Sequence, residues 1–148
     1  MILVLDEWVI HDLKGENGPH RRQEADLFLD RIRERCERVA VLSDSPWIRK
    51  AKRLMKETDS LTRQASRKLH GLILRGQNKT QYVDELGFQE IPFPVPPDDQ
   101  YLVQTYIAAN ADVLVTSDQR LLEALQAQNS GGINVVLRDE FLGQYLSK

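Results

Sequence analysis

At 148 residues the chain has the size of one domain and is long enough to bury a proper core. Its 41% hydrophobic and 28% charged residues exclude a disordered polymer, and its single cysteine, Cys36, excludes an internal disulfide or a multi-cysteine zinc site and favours a reducing compartment. The net charge of −2 points to no partner by itself.

Met1 leads directly into Ile-Leu-Val-Leu, with no basic leader and no long apolar run, so neither a secretory signal nor a membrane span is expected. The expected location is the cytoplasm. Ile2 to Leu5 is a short apolar run ending at Asp6, which predicts a fully buried strand. Ala25, Phe28, Leu29, Ile32 and Cys36 recur at helical spacing and predict a helix over about His20 to Glu37. Val39 to Leu42 reads as a second buried strand. Ser45 and Pro46 suit the cap and first position of a following helix. Leu61, Ala65, Leu69, Leu72 and Ile73 predict another amphipathic helix, stopped near Gly76.

Four prolines, Pro92, Pro94, Pro96 and Pro97, make an extended approach to Asp98-Asp99. Leu102, Val103, Tyr106 and Ile107 then line one helical face up to about Asn110. Val113 to Val115 predicts a third strand. Leu121, Leu122 and Leu125 predict a helix, Ile133 to Leu137 a further strand after Gly131-Gly132, and Phe141, Leu142 and Tyr145 a short closing helix. Apolar strands alternating with helices predict one three-layer α/β/α domain around a parallel sheet of four or five strands. Ligands of such sheets sit beyond the carboxyl ends of the strands, near the switch in strand order.

That rule gives the acids their meaning. Asp6 ends the first strand, Asp118 follows the third by a short step, and Asp98-Asp99 opens the helix that leads into that same strand. If the strands of Asp6 and Asp118 are neighbours, all three acidic positions meet at one end of the sheet. Clustered carboxylates repel unless a cation is present, and oxygen-only ligands suit Mg²⁺ or Mn²⁺. Each acid also has a plainer reading. Asp98 or Asp99 can cap a helix, and so can Asp118, although Ser117 and Thr116 could do that without a charge. Asp6 is harder to explain as ornament, because a buried strand end rarely carries an unpartnered carboxylate.

Charge is unevenly spread along the chain. From Arg49 to Lys79, ten lysines and arginines stand against two acids, Glu57 and Asp59, which makes +8. The other residues carry ten against twenty, or −10. A basic middle predicts a dipolar molecule with one face suited to phosphates, against the alternative that these cations merely solvate helices. No glycine-rich phosphate loop is present, since Gly131-Gly132 precedes a strand.

Two stretches, ILVLDEWVI and DDQYLVQTYIAANADVLVTSDQRLL, resemble the PIN domains, metal-dependent ribonucleases that include the VapC-type toxins of toxin–antitoxin pairs. Asp98 to Leu122 carries most of the likeness. The resemblance implies a Mg²⁺ or Mn²⁺ site formed by Asp6, Asp99 and Asp118, with Ser117 or Thr116 assisting and Asp98 the substitute if the pair is out of register by one. It also implies RNA as substrate, an antitoxin protein as partner and a homodimer. Cleavage would then be a hydrolysis, with the RNA backbone gripped by Arg49, Lys52, Arg53, Arg67 and Lys68.

The sequence departs from that family at two places. The family's glutamate after the second strand would fall near Arg49, and the small polar residue after the first Asp is replaced by Glu7-Trp8. Either Asp44, Glu7 or Asp12 supplies the missing oxygen, or the domain is a catalytically silent module that binds RNA or protein. A cation at that seat predicts one well-held metal ion rather than two. A receiver or phosphatase domain fits less well, for want of the required Lys or Thr near a strand-end Asp.

Overall fold

The computed structural model describes residues 1–76, 78–128 and 132–148. Strand β1 (Ile2–Leu5) leads into helix α1 (Trp8–Lys14), and α2 (Pro19–Glu34) returns to β2 (Arg38–Leu42). Helices α3 (Pro46–Leu54) and α4 (Ser60–Leu69) follow, then a wide π-helical turn (His70–Leu74) and β3 (Thr80–Val83). A 3₁₀ turn (Pro97–Asp99) opens α5 (Gln100–Ala109), which feeds β4 (Val113–Thr116). The chain closes with α6 (Gln119–Gln126), β5 (Val135–Leu137) and α7 (Arg138–Tyr145).

The five strands among the described residues form one all-parallel sheet in the order β3-β2-β1-β4-β5. Side chains alternate across each strand, and the alternation divides the core in two. Leu3, Leu5, Val41 and Val115 pack with residues of α1 to α4 and α7 on one face. Val4, Ala40 and Leu114 pack with α5 and α6 on the other. Because both faces are covered, the central strands are apolar throughout, as parallel strands require. The architecture is the expected three-layer α/β/α arrangement, with five strands.

On the first face Phe28 is wholly buried, and its ring centroid lies 5.6 Å from Trp8, 5.9 Å from Phe141 and 5.3 Å from Tyr145. These tilted and edge-on contacts tie α1, α2 and α7 together, each pair adding about 0.5–1.5 kcal/mol beyond area burial. Ser45 caps α3 as expected, accepting the Ile48 N–H at 3.2 Å, with Pro46 in the first turn.

Several expectations are corrected. Helix α2 stops at Glu34 rather than Glu37, and Cys36 lies exposed outside it. Leu61 is 57% exposed, because α4 buries Thr62, Ala65, Ser66 and Leu69 instead. The expected run to Gly76 breaks at His70, where the helix widens into the π-turn and the Arg75 N–H bonds the His70 carbonyl at 2.9 Å. The last strand begins at Val135 rather than Ile133, and Gly131 lies outside the described residues. Among the described residues no helix is long and apolar enough to cross a membrane.

Candidate functional site

Strands β1 and β4 are neighbours at the centre of the sheet, where the chain switches from building one side to building the other. Leu5 pairs with Val115, and the Asp6 N–H continues the ladder to the Val115 carbonyl at 3.1 Å. Asp6 therefore emerges beside Thr116, and Asp118 follows within one turn. Two buried indoles brace this edge: Trp8 Nε1 donates to the Val115 carbonyl at 3.1 Å, and Trp47 Nε1 to the Asp6 carbonyl at 3.2 Å.

Asp6 is 8% exposed and its carboxylate is held from three sides. Oδ1 accepts the Trp8 N–H at 2.8 Å, while Oδ2 accepts the Ser117 N–H at 3.0 Å and the Thr116 hydroxyl. Burial raises its pKa above the ordinary carboxylate value, and these hydrogen bonds pull the other way. Thr116 Oγ1 in turn accepts the Asp118 N–H at 2.9 Å, so one hydroxyl joins the two acids.

Asp118 does cap α6, its Oδ1 accepting the Arg120 N–H at 2.9 Å. Asp99 does not cap α5, although it stands at the cap position. Its carboxyl is half-buried, and burial, the adjacent Asp118 carboxylate and the charges of Asp6 and Asp98 push its pKa to about 7. None of Asp6, Asp98, Asp99 and Asp118 forms an ion pair among the described residues. The negative charge is gathered and left uncompensated.

All four open onto one cleft of about 870 Å³ at the carboxyl end of the sheet. Ser117 lines it too, as do Glu7, Asp44 and Arg49. Glu7 is bound by Lys50, and the Tyr101 hydroxyl donates to its Oε1 at 3.3 Å. Asp44 accepts from Arg49 Nη1 through its carbonyl at 3.0 Å, with its carboxylate 3.7 Å away. Asp12 is not in this cleft. It is fully buried, and Asn17 Nδ2 at 2.7 Å and Arg138 Nε at 2.9 Å hold its carboxylate.

Among the described residues no three His, Cys, Asp or Glu side chains converge closely enough to enclose a metal ion. Asp6 is turned to its own donors, which leaves Asp99 and Asp118 as the closely opposed pair. One or two carboxylates are what a protein ordinarily contributes to Mg²⁺, the rest being water and substrate phosphate. An all-oxygen pair that forms no ion pair among the described residues fits such an ion.

The basic residues do not form one stripe at the acids. Arg49 faces the cleft, Lys52 lines a neighbouring pocket, and Arg53 is exposed on α3. Arg67 and Lys68 line a third depression on α4, and Lys68 is held by Asp26 at 2.8 Å and Asp30 at 3.1 Å. Helices α3 and α4 turn their charges to different sides, and acids of α2 occupy Lys68. Tyr101 and Trp47 carried no signal in the sequence, Lys50 is legible there only as the neighbour of Arg49, and Trp8 only as half of the Glu7-Trp8 departure.

No family model matches the chain, and no curated protein matches it. Among solved structures it is similar to VapBC2 from Rickettsia felis bound to a DNA fragment from their promoter. The identity is 13%, the alignment covers 93% of this chain and 98% of that one, and the TM-score is 0.49.

Proposed function

We propose that the chain is a Mg²⁺- or Mn²⁺-dependent endoribonuclease of the PIN type, acting as the toxin of a toxin–antitoxin pair. The observation that carries this reading is that Asp6, Asp99 and Asp118 line one cleft at the switch in strand order, with none of them in an ion pair among the described residues. Asp99 and Asp118 hold the ion, and Asp6, fixed by Trp8, Thr116 and Ser117, adds charge to the same cleft. A bound ion lowers the proton affinity of water and offsets charge on the phosphodiester being hydrolysed. Arg49 lines the cleft with its guanidinium against Asp44 and offers a cation to the incoming backbone, and Lys50 neutralises Glu7 so that the cleft does not repel it further. The toxin role, an antitoxin partner and a homodimer rest on the resemblance of Asp98 to Leu122 to the VapC-type proteins.

The test replaces Asp118 by Asn and follows cleavage of single-stranded RNA with Mg²⁺ or Mn²⁺. A loss of about 10²-fold or more is expected if charge stabilisation at this carboxylate is required. Equal cleavage by both proteins would overturn the assignment.

A second reading, a silent PIN-like module that binds RNA or protein, is favoured by Arg49 at the seat of the family's glutamate. Calorimetry with Mn²⁺ separates the two. Heat of binding that vanishes in Asp118→Asn supports the nuclease, and no heat from the wild type supports the module.

A further inference from the structure

Beside the carboxylate cleft lies a second pocket of about 370 Å³, formed by α3, the π-turn and the end of β3. Asp44 lines both, so the two share a rim. The walls of the second pocket bring together Lys52, His70, Arg75 and Tyr82 from three separate elements.

Their chemistry is that of an anion site with an aromatic platform. Lys52 and Arg75 both stand near the His70 ring, and burial together with their charges lowers its proton affinity. Among the described residues neither Lys52 nor Arg75 has an acidic partner. His70 Nε2 is shielded from solvent and has no hydrogen-bond partner. Tyr82 is 48% exposed, yet its hydroxyl is tethered to the Ile73 carbonyl at 3.2 Å, so the ring is held in place at the surface. Two like charges sharing a wall repel each other, and an anion relieves them. A tethered, half-exposed aromatic ring offers an unpaired base a stacking surface at little entropic cost.

We propose that this pocket is a nucleotide subsite for single-stranded RNA, with Lys52 and Arg75 on the backbone phosphates and Tyr82 stacked on an unpaired base. The inference rests on the ribonuclease reading for its ligand, and it gives the substrate a direction. A strand leaving the carboxylate cleft passes the rim at Asp44 and Arg49 and enters the pocket of Lys52, Arg75 and Tyr82. The requirement for an unpaired base selects single strands over duplexes, which the carboxylates alone do not.

The experiment uses the full chain and a dye-labelled RNA octamer, with anisotropy read in EDTA so that no cleavage occurs. Lys52→Ala/Arg75→Ala is expected to raise Kd at least tenfold and to reduce the slope of log K against log salt by about 1.4, the value for two phosphates of a single strand. Tyr82→Ala is expected to raise Kd by roughly fivefold or more, with Tyr82→Phe, which keeps the ring and loses the tether, falling between it and wild type. The same octamer in duplex form should bind more weakly and ignore Tyr82→Ala. Overturning results are a wild type that does not bind the octamer, variants with unchanged Kd and slope, or a duplex bound as well as the single strand. An acidic peptide that competes as well as RNA also overturns it, by showing a site for protein carboxylates. Binding that depends on these residues without Mn²⁺-dependent cleavage sinks the nuclease and keeps the subsite. Cleavage with binding indifferent to them does the reverse.

Discussion

The hydroxyl of Thr116 donates to the buried carboxylate of Asp6, across two strands that are 110 residues apart in sequence. It also accepts the Asp118 N–H, so one side chain fixes the spacing of two acids. Thr116→Val keeps the shape and removes both roles. It is expected to cost about 1–3 kcal/mol, the penalty for stranding a buried polar group, while Thr116→Ser retains most of the stability. Urea unfolding of the three proteins checks this.

The pKa of Asp99, raised from 3.8 to about 7, gives stability a definite pH dependence. Between those values the folded chain holds a proton that the unfolded chain has released. The stabilisation is therefore full below pH 4 and is lost as pH rises towards 7. Asp6 is shifted in the same direction. Asp99→Asn removes the dependence at that position, so the variant should melt higher than wild type above pH 7 and lose the advantage near pH 4. Added Mg²⁺ should raise the melting temperature of the wild type at pH 7.5 and leave that of Asp99→Asn nearly unmoved. A melting-temperature difference between wild type and variant that does not change with pH would show that Asp99 is an ordinary surface carboxylate.

Arg138 is 3% exposed and Asp12 wholly buried, with Nε and Oδ2 2.9 Å apart. Glu24 and Asp139 share the same guanidinium at 3.0 Å and 2.8 Å, tying α7 to α1 and α2. Arg138→Met leaves the Asp12 carboxylate buried without its cation, and is expected to cost about 3–5 kcal/mol. Combining it with Asp12→Leu should recover much of that loss. Denaturant midpoints across the double-mutant cycle measure the recovery.

Arg49 occupies the cleft wall with its charge turned to Asp44. Replacing it by glutamate exchanges a repelling charge for an attracting one. Arg49→Glu is expected to tighten Mn²⁺ binding by about tenfold, the effect of roughly 1.4 kcal/mol of screened attraction. Isothermal titration reads this directly, and unchanged affinity would mean that the ion does not sense that wall.

The fold was legible where burial is two-sided. Leu3-Val4-Leu5 and Val113-Leu114-Val115 announce central strands because both their faces meet helices. Strand β3 escaped notice because Thr80-Gln81-Tyr82-Val83 lies at the sheet edge, paired only with β2, and needs no continuous apolar run. Helix α1 escaped because Glu7 gives it no side-chain cap. Leu61 and Cys36 were misread for one reason: helical spacing says that residues share a face, and not which face is buried. Within the site, the strand-end positions of Asp6 and Asp118 could be read from sequence. The Lys50 to Glu7 pair could not, since it joins residues 43 apart whose meeting depends on how α3 packs. Tyr101 was likewise hidden, an aromatic on a helix whose hydroxyl reaches Glu7 from 94 residues away.

Trp8 and Trp47 are the only tryptophans in the chain, and both donate their indole N–H to carbonyls at the ends of the two central strands. Every photon of indole emission thus originates a few ångströms from the acidic mouth. The unlabelled protein carries its own optical gauge, and a shift in emission on titrating a cation or an oligonucleotide would report events at that edge.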